Sequence, residues 1–171
     1  MTRHRVYLFR HAKSSWDDPT LPDRHRPLAP RGIKAAHRMA RHVAEAGAAP
    51  DLVLCSPAQR AVETLDGIRS ALPPTATIVV DDALYTSSAD EVLGRLHMVD
   101  EDIGDVLVVG HNPATENLAV RLARPGSGDA VDRMRAKFPT AALATLAFHG
   151  PWAELSWGQA TLESFVVPRD V

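Results

Sequence analysis

Two runs of β-branched, aromatic and aliphatic residues stop abruptly at polar groups. Residues 5–9 (RVYLF) end at Arg10 and His11, and residues 105–109 (DVLVV) end at Gly110-His111-Asn112. Continuous apolar runs of this length read as strands covered on both faces. Shorter runs at 51–54 and 77–80 predict two more strands. Between the strands the period changes to that of a helix. Over residues 31–46 the positions Ile33, Ala36, Ala40, Val43 and Ala44 fall on one helical face, with Pro30 suited to the first turn and Gly47 to the stop. A second helix is predicted from Ser56-Pro57-Ala58-Gln59 to about Leu72, where two prolines follow; Ser56 as N-cap with Gln59 three residues on has the form of a capping box. A third helix is expected over 89–99, and a fourth from Pro113 to about Ala123, capped by Asn112. Residues 124–129 (RPGSGD) read as a turn or loop, and residues 142–148, 153–157 and 164–167 read as strands with a hairpin near Gly150-Pro151.

This alternation predicts an α/β fold: a single-domain, three-layer α/β/α architecture over residues 1–171 with a mainly parallel central sheet. Such sheets bind ligands beyond the carboxyl ends of their strands. Three polar groups are expected there: Arg10-His11, Ser56 to Arg60, and Gly110-His111. Arginine forks match phosphoryl oxygens, helix N-termini favour anions, and an imidazole can attack phosphorus while arginines neutralise the spreading charge. The residues alone leave open whether these groups form a phosphate site or are unrelated surface and core positions.

The strings themselves resemble a known family. Leu8-Phe9-Arg10-His11-Ala12 is similar to the Arg-His-Gly signature of the histidine phosphatase superfamily, which includes cofactor-dependent phosphoglycerate mutase and the histidine acid phosphatases. Ser56 to Leu65 (SPAQRAVETL) resembles its second block, and Val108 to Asn112 its third. Arg26-Pro27-Leu28, followed by Gly32, is similar to the segment before the first helix in the short SixA-type branch of protein-phosphohistidine phosphatases.

The resemblance implies a phosphoglycerate mutase-like fold and a metal-independent phosphatase without cofactors. His11 would form a phosphohistidine intermediate, with Arg10, Arg60 and His111 holding the transferring phosphoryl group. Lys13, Ser14, Arg26 and Asn112 are candidate substrate-binding residues, and Ser15 is a further possible donor. The partner implied is a protein phosphorylated on histidine, or a small phosphorylated metabolite. An open pocket would favour the protein, and ordered walls from Trp16 to Arg26 the metabolite. A silent phospho-ligand binding module is the reading from another class; it has no need of an uncharged nucleophile.

Two departures stand out. Ala12 occupies the usual glycine position, and alanine tolerates a close backbone approach better than a positive φ. Mutase-like members carry a glutamate after the third strand and acid phosphatases an aspartate after the second histidine; here those places hold Asp82-Ala83-Leu84-Tyr85-Thr86 and Asn112. Asp82 and Glu91 are the nearest substitutes. A missing acid disfavours alkoxide leaving groups, because positioned proton transfer is worth about 10²–10⁴-fold. It leaves phosphohistidine and phosphoanhydride substrates.

Composition narrows the partners. The chain has 171 residues, 45% hydrophobic and 23% charged, with a net charge of −2, which carries no general signature of nucleic-acid or anionic-membrane binding. The start is charged too early for a signal peptide, and no apolar run approaches the roughly 20 residues of a membrane helix. A cytoplasmic protein is expected, with monomer as the default. Cys55 is the single cysteine; four residues separate it from Arg60, where a cysteine-dependent phosphatase loop has five, so it reads as a small buried residue. His37 and His42 have a spacing unsuited to sharing a metal, and His4, His25, His97 and His149 read as surface or loop residues, with His25 a candidate for the pocket rim. For Trp16, contact with substrate and packing are both open.

Overall fold

The computed structural model describes residues 1–126 and 128–171. Six strands, β1 (Arg3–Arg10), β2 (Leu52–Cys55), β3 (Thr77–Val80), β4 (Asp105–Gly110), β5 (Leu143–His149) and β6 (Thr161–Val166), form one sheet in the order β3-β2-β4-β1-β5-β6. The first four are mutually parallel, and β5 runs antiparallel to both β1 and β6. The expected mainly parallel α/β sheet is therefore present.

Alternation along β1 builds the two halves of the core. Tyr7 and Phe9 point to one face, where they meet α1 (Pro30–Glu45) and α2 (Gln59–Ile68) through Met39, Val43, Leu65 and Ile68. Val6 and Leu8 point to the other, against Val92, Leu96, Leu118, Leu122 and Met134 of α3 (Ala89–His97), α4 (Ala114–Leu122) and α5 (Asp129–Ala136).

Several local expectations change. Helix α1 buries Gly32, Ala36, Met39 and Val43, while Ile33 and Ala44 are exposed: the buried stripe is rotated toward Met39. Residues 153–157 are not a strand. Pro151 opens a 3-10 turn at Trp152–Glu154, which buries Trp152 and Leu155 three residues apart. Helix α5 has no counterpart in the sequence-based expectations. Of the 124–129 loop, Ser127 lies outside the described residues, and Asp129 already belongs to α5. His4 is fully buried rather than exposed: its Nδ1–H donates to the Gly104 carbonyl at 2.9 Å, and its ring packs in a cluster with Phe148 and Trp152. His97 contacts the Leu155 carbonyl through Nε2 at 2.6 Å. No helix among the described residues is long and apolar enough to cross a membrane.

Candidate active site

Strand register brings the three polar groups together. Arg10 pairs with Gly110 across β1 and β4, so His11 and His111 leave the sheet side by side. Cys55 pairs with Val109, which places Ser56 beside Gly110. The ring centroids of His11 and His111 are 5.1 Å apart. They sit in a cavity of about 420 Å³ lined also by Arg10, Lys13, Ser14, Trp16, Asp23, Arg26, Arg60, Tyr85, Thr86, Asn112 and Thr140. All eight residues expected at the site thus line one pocket. His25, the candidate for its rim, is not among the lining residues, and neither is Ser15.

His11 is 8% exposed, and its Nδ1 lies 2.7 Å from the Ala12 carbonyl. A carbonyl can only accept, so Nδ1 carries the proton and Nε2 keeps its lone pair. Burial drives the His11 pKa down to about 3; the charge of Arg60 and Arg10 and the neighbouring His111 push the same way. The imidazole is consequently neutral across physiological pH, the state a nucleophile needs. His111 is lowered to about 4 by burial first and by Arg60 second.

The backbone that follows His11 is held from two sides. Thr64 on α2 accepts the Ala12 N–H at 2.9 Å and donates to the Arg60 carbonyl at 2.6 Å. The Lys13 carbonyl accepts from Ala29 N–H at 2.8 Å, and Gly32, in the first turn of α1, lies against it so closely that a Cβ there would fall 2.2 Å from the Lys13 oxygen. Ala12 fits the close approach without a positive φ: among the described residues only Ala141 is a non-glycine with positive φ, at 61°.

Each arginine is oriented by its own partners. Arg10 Nη1 donates to the Phe138 carbonyl at 2.8 Å. Arg60 donates to the Asp23 carbonyl at 2.9 Å and to its carboxylate at 3.1 Å. The Nε of both Arg10 and Arg60 is buried without a protein partner. Both side chains line the pocket, and with each Nε closed off from solvent it is the Nη groups that can face an anion there. Arg26 bonds Ser14 Oγ at 2.7 Å and the Asp23 carboxylate, while its guanidinium stacks on Trp16 at 3.6 Å. Trp16 is nevertheless 67% exposed, so it packs on one side and presents itself to the pocket on the other.

Ser56 corrects an expectation. Helix α2 begins at Gln59 with Ala58 as N-cap, and no capping box forms at Ser56. Its hydroxyl is instead turned to the site, accepting from Ala58 N–H at 3.3 Å and lying 2.6 Å from His111 Nε2. At α4 the boundary shifts by one, to Ala114 with Pro113 as N-cap, but the Asn112 side chain still serves the helix start: its Oδ1 accepts from Glu116 N–H at 3.3 Å, and its Nδ2 donates to the Phe138 carbonyl at 3.0 Å.

The carboxylates settle differently from expectation. Asp82 is on the surface with Arg24, and Glu91 completes a capping box with Ser88 at the start of α3; neither lines the pocket. The carboxylate that does is Asp23, which had not been singled out. It accepts from Tyr85 Oη, Arg60 and Arg26, and these, led by Tyr85, hold its pKa down to about 2. It is a fixed negative charge, with no proton to donate at neutral pH. Cys55 is fully buried, and burial raises its thiol to about 12, so it is no nucleophile. No group of three or more His, Cys, Asp or Glu side chains among the described residues could hold a metal ion.

Comparison with known proteins agrees with this geometry. Residues 6–98 match the family model described as Histidine phosphatase superfamily (branch 1), a segment that includes His11 and Arg60. An uncharacterized protein of Mycobacterium tuberculosis (strain H37Rv) is 38% identical over 162 residues, covering 94% of this chain and 99% of the relative. A solved structure from Nakamurella multipartitia, assigned as the phosphohistidine phosphatase SixA, superposes with a TM-score of 0.86 at 31% identity over 98% of both chains. A second with the same assignment, from Agrobacterium tumefaciens, gives 0.80 at 30% identity over 96% of this chain and 98% of the other. The chain belongs to the histidine phosphatase superfamily, and it is a phosphatase with the phosphoglycerate mutase-like fold.

Proposed function

We propose that this chain, acting as a single histidine phosphatase domain, removes phosphate from phosphohistidine in proteins through a covalent intermediate on His11. His11 Nε2 would attack phosphorus in line with the leaving group. The N–P bond to the enzyme forms as the P–N bond to the substrate imidazole breaks. That imidazole departs with the bonding pair and, its other nitrogen protonated by solvent, leaves as a neutral ring. Water then attacks phosphorus, the His11–P bond breaks, and inorganic phosphate is released with the water's proton passing to solvent. Arg10 and Arg60 hold the phosphoryl oxygens throughout, matching charge that spreads in the transition state. Arg60 Nη2, which can only donate, lies 3.5 Å from His111 Nδ1, so Nδ1 accepts and His111 Nε2–H donates to Ser56 Oγ, tying His111 to the arginine that holds the phosphoryl group.

The observation that carries the substrate class is the absence, among the described residues lining the pocket, of any carboxyl group able to give a proton: Asp23 is ionised and triply bonded. An imidazole leaves without such help, whereas an alkoxide does not. The similar structures assigned as SixA support the same reading. One feature favours a small phosphorylated metabolite as a second reading. Trp16 and Arg26 form an ordered wall, pinned by the Asp23 network and by a bridge between Ser14 and Leu28.

The test is phosphate release in EDTA from a phosphohistidine protein, a phosphomonoester and a nucleoside diphosphate, with His11→Ala alongside. The proposal expects the phosphohistidine protein to be turned over best and His11→Ala to abolish release. Fastest turnover of the monoester would assign the site to metabolites and require an acid other than Asp82 or Glu91.

A further inference from the structure

A second cleft of about 420 Å³ lies on the other side of β5 from the catalytic pocket. Only the edges of Phe165 and Val167, 5% and 6% exposed, reach its floor; the half-buried Pro139 and Pro168 flank them, and the rim carries Arg133, Lys137 and Arg169. Arg133 is paired with Asp170 at 2.9 Å; Lys137 and Arg169 make no ion pair among the described residues. The rim thus offers two exposed positive charges beside a small apolar surface.

Topology places this groove at the catalytic edge of the sheet. Strand β6 is antiparallel to β5, which is antiparallel to β1, so β6 and β1 run the same way and end on the same side. Val167 follows β6 much as His11 follows β1. Two strand spacings separate those ends, about 10 Å. A single segment forms the partition between groove and pocket: Pro139 lines the groove, Thr140 lines the pocket, and the Phe138 carbonyl is held by Arg10 and Asn112. Whatever rests in the groove therefore lies against the backbone that orients a phosphate-binding arginine.

We propose that this groove is the docking site for the phosphoprotein substrate, receiving an acidic residue and a neighbouring apolar side chain displayed about 10 Å from its phosphohistidine. The charge complementarity selects the occupant: carboxylates pair with Lys137 and Arg169 while the apolar side chain packs on Pro139, Pro168 and the edges of Phe165 and Val167. In an extended segment that distance is about three residues. The inference rests on the phosphohistidine reading and adds to it how a protein carrying the group is recognised.

Two phosphohistidine peptides, phosphorylated chemically with phosphoramidate, test it. One carries Glu and Leu three and four residues from the histidine, and the other carries Lys and Ser there. Both are compared with phosphoimidazole, using wild type and Lys137→Glu/Arg169→Glu. Exposed ion pairs are individually weak, so two together predict a wild-type preference for the acidic peptide of about three- to thirtyfold in kcat/KM, weakening with salt. The double variant should lose or reverse it, while phosphoimidazole turnover stays at the wild-type rate and shows the pocket intact. Equal turnover of the two peptides by wild type overturns the docking inference and leaves the phosphohistidine reading standing. Turnover of phosphoimidazole but of neither peptide overturns the docking site and the protein-substrate reading together. A wild-type dimer in sedimentation that the double variant dissolves would assign the groove to a second copy of this chain and also overturn the inference.

Discussion

Replacing Gly32 with alanine should damage catalysis from a helix that contributes no side chain to the pocket. The new Cβ would stand 2.2 Å from the Lys13 carbonyl oxygen and 3.0 Å from the Lys13 carbon and nitrogen. Ordinary van der Waals separation then requires the α1 terminus and the Lys13 backbone to part by about 1 Å. Both neighbours are fixed: Lys13 O is bonded to Ala29 N–H, and the preceding Ala12 N–H is bonded to Thr64. Overpacking of this kind costs about 1–3 kcal/mol, only partly offset by the better helix propensity of alanine, about 1 kcal/mol at most. The Ala12 carbonyl, which sets the His11 tautomer at 2.7 Å, belongs to the backbone that must move. A displacement of about 1 Å in catalytic geometry can cost about 10²-fold in rate. Steady-state kinetics together with urea unfolding should thus show kcat reduced by about two orders of magnitude and stability by about 1–2 kcal/mol. Gly94→Ala is the control: apart from its own helix backbone nothing lies within 4 Å of its Cβ position in α3, so stability should rise by about 0.5–1 kcal/mol with activity unchanged. A Gly32→Ala enzyme within twofold of wild type and no less stable would refute the argument.

Three further outcomes follow from the same contacts. His11 and His111 are held near 3 and 4 in the fold but titrate near 6.5 when unfolded. Between those values the unfolded chain binds more protons, so stability falls as pH drops below about 6.5, with up to about 1.4 kcal/mol per pH unit from each histidine. Urea unfolding in phosphate-free buffer at pH 7 and pH 5 should show His11→Asn losing much less stability on acidification than wild type; equal losses would contradict the neutral assignment. Thr64→Val strands the buried Ala12 N–H and should cost about 1–3 kcal/mol in urea unfolding, with kcat reduced as well. Arg60→Ala should lower kcat/KM by about 10³-fold while leaving the circular dichroism spectrum intact.

What could be read from the sequence follows strong local signals. β1 and β4 are long apolar runs that end at polar residues, so the strands and the pocket-lining Arg10, His11 and His111 after them could be read directly, while Arg60, on α2, was legible only through the Ser56–Leu65 block. Helix α5 was not, because Asp129–Ala136 (DAVDRMRA) is short and buries only Val131 and Met134. The turn at Trp152–Glu154 resembled a strand because its burial at positions 152 and 155 has helical spacing too brief to show a period. Asp23 was missed for another reason. It lies in a proline-rich loop, and its role depends on Arg60 and Tyr85, which are 37 and 62 residues away. Its spacing of three from Arg26 was the one local hint. Ser56 shows the converse: a capping signature satisfied its local form, yet the tertiary contact with His111 took the hydroxyl.

The most direct test of the account is to trap the enzyme during turnover of a radiolabelled phosphohistidine protein by rapid quench into alkali, then map the label. The account predicts an alkali-stable, acid-labile phosphate on the peptide containing His11, formed and lost at rates consistent with kcat and absent from His11→Asn. Label on another residue, or full turnover by His11→Asn, would contradict it.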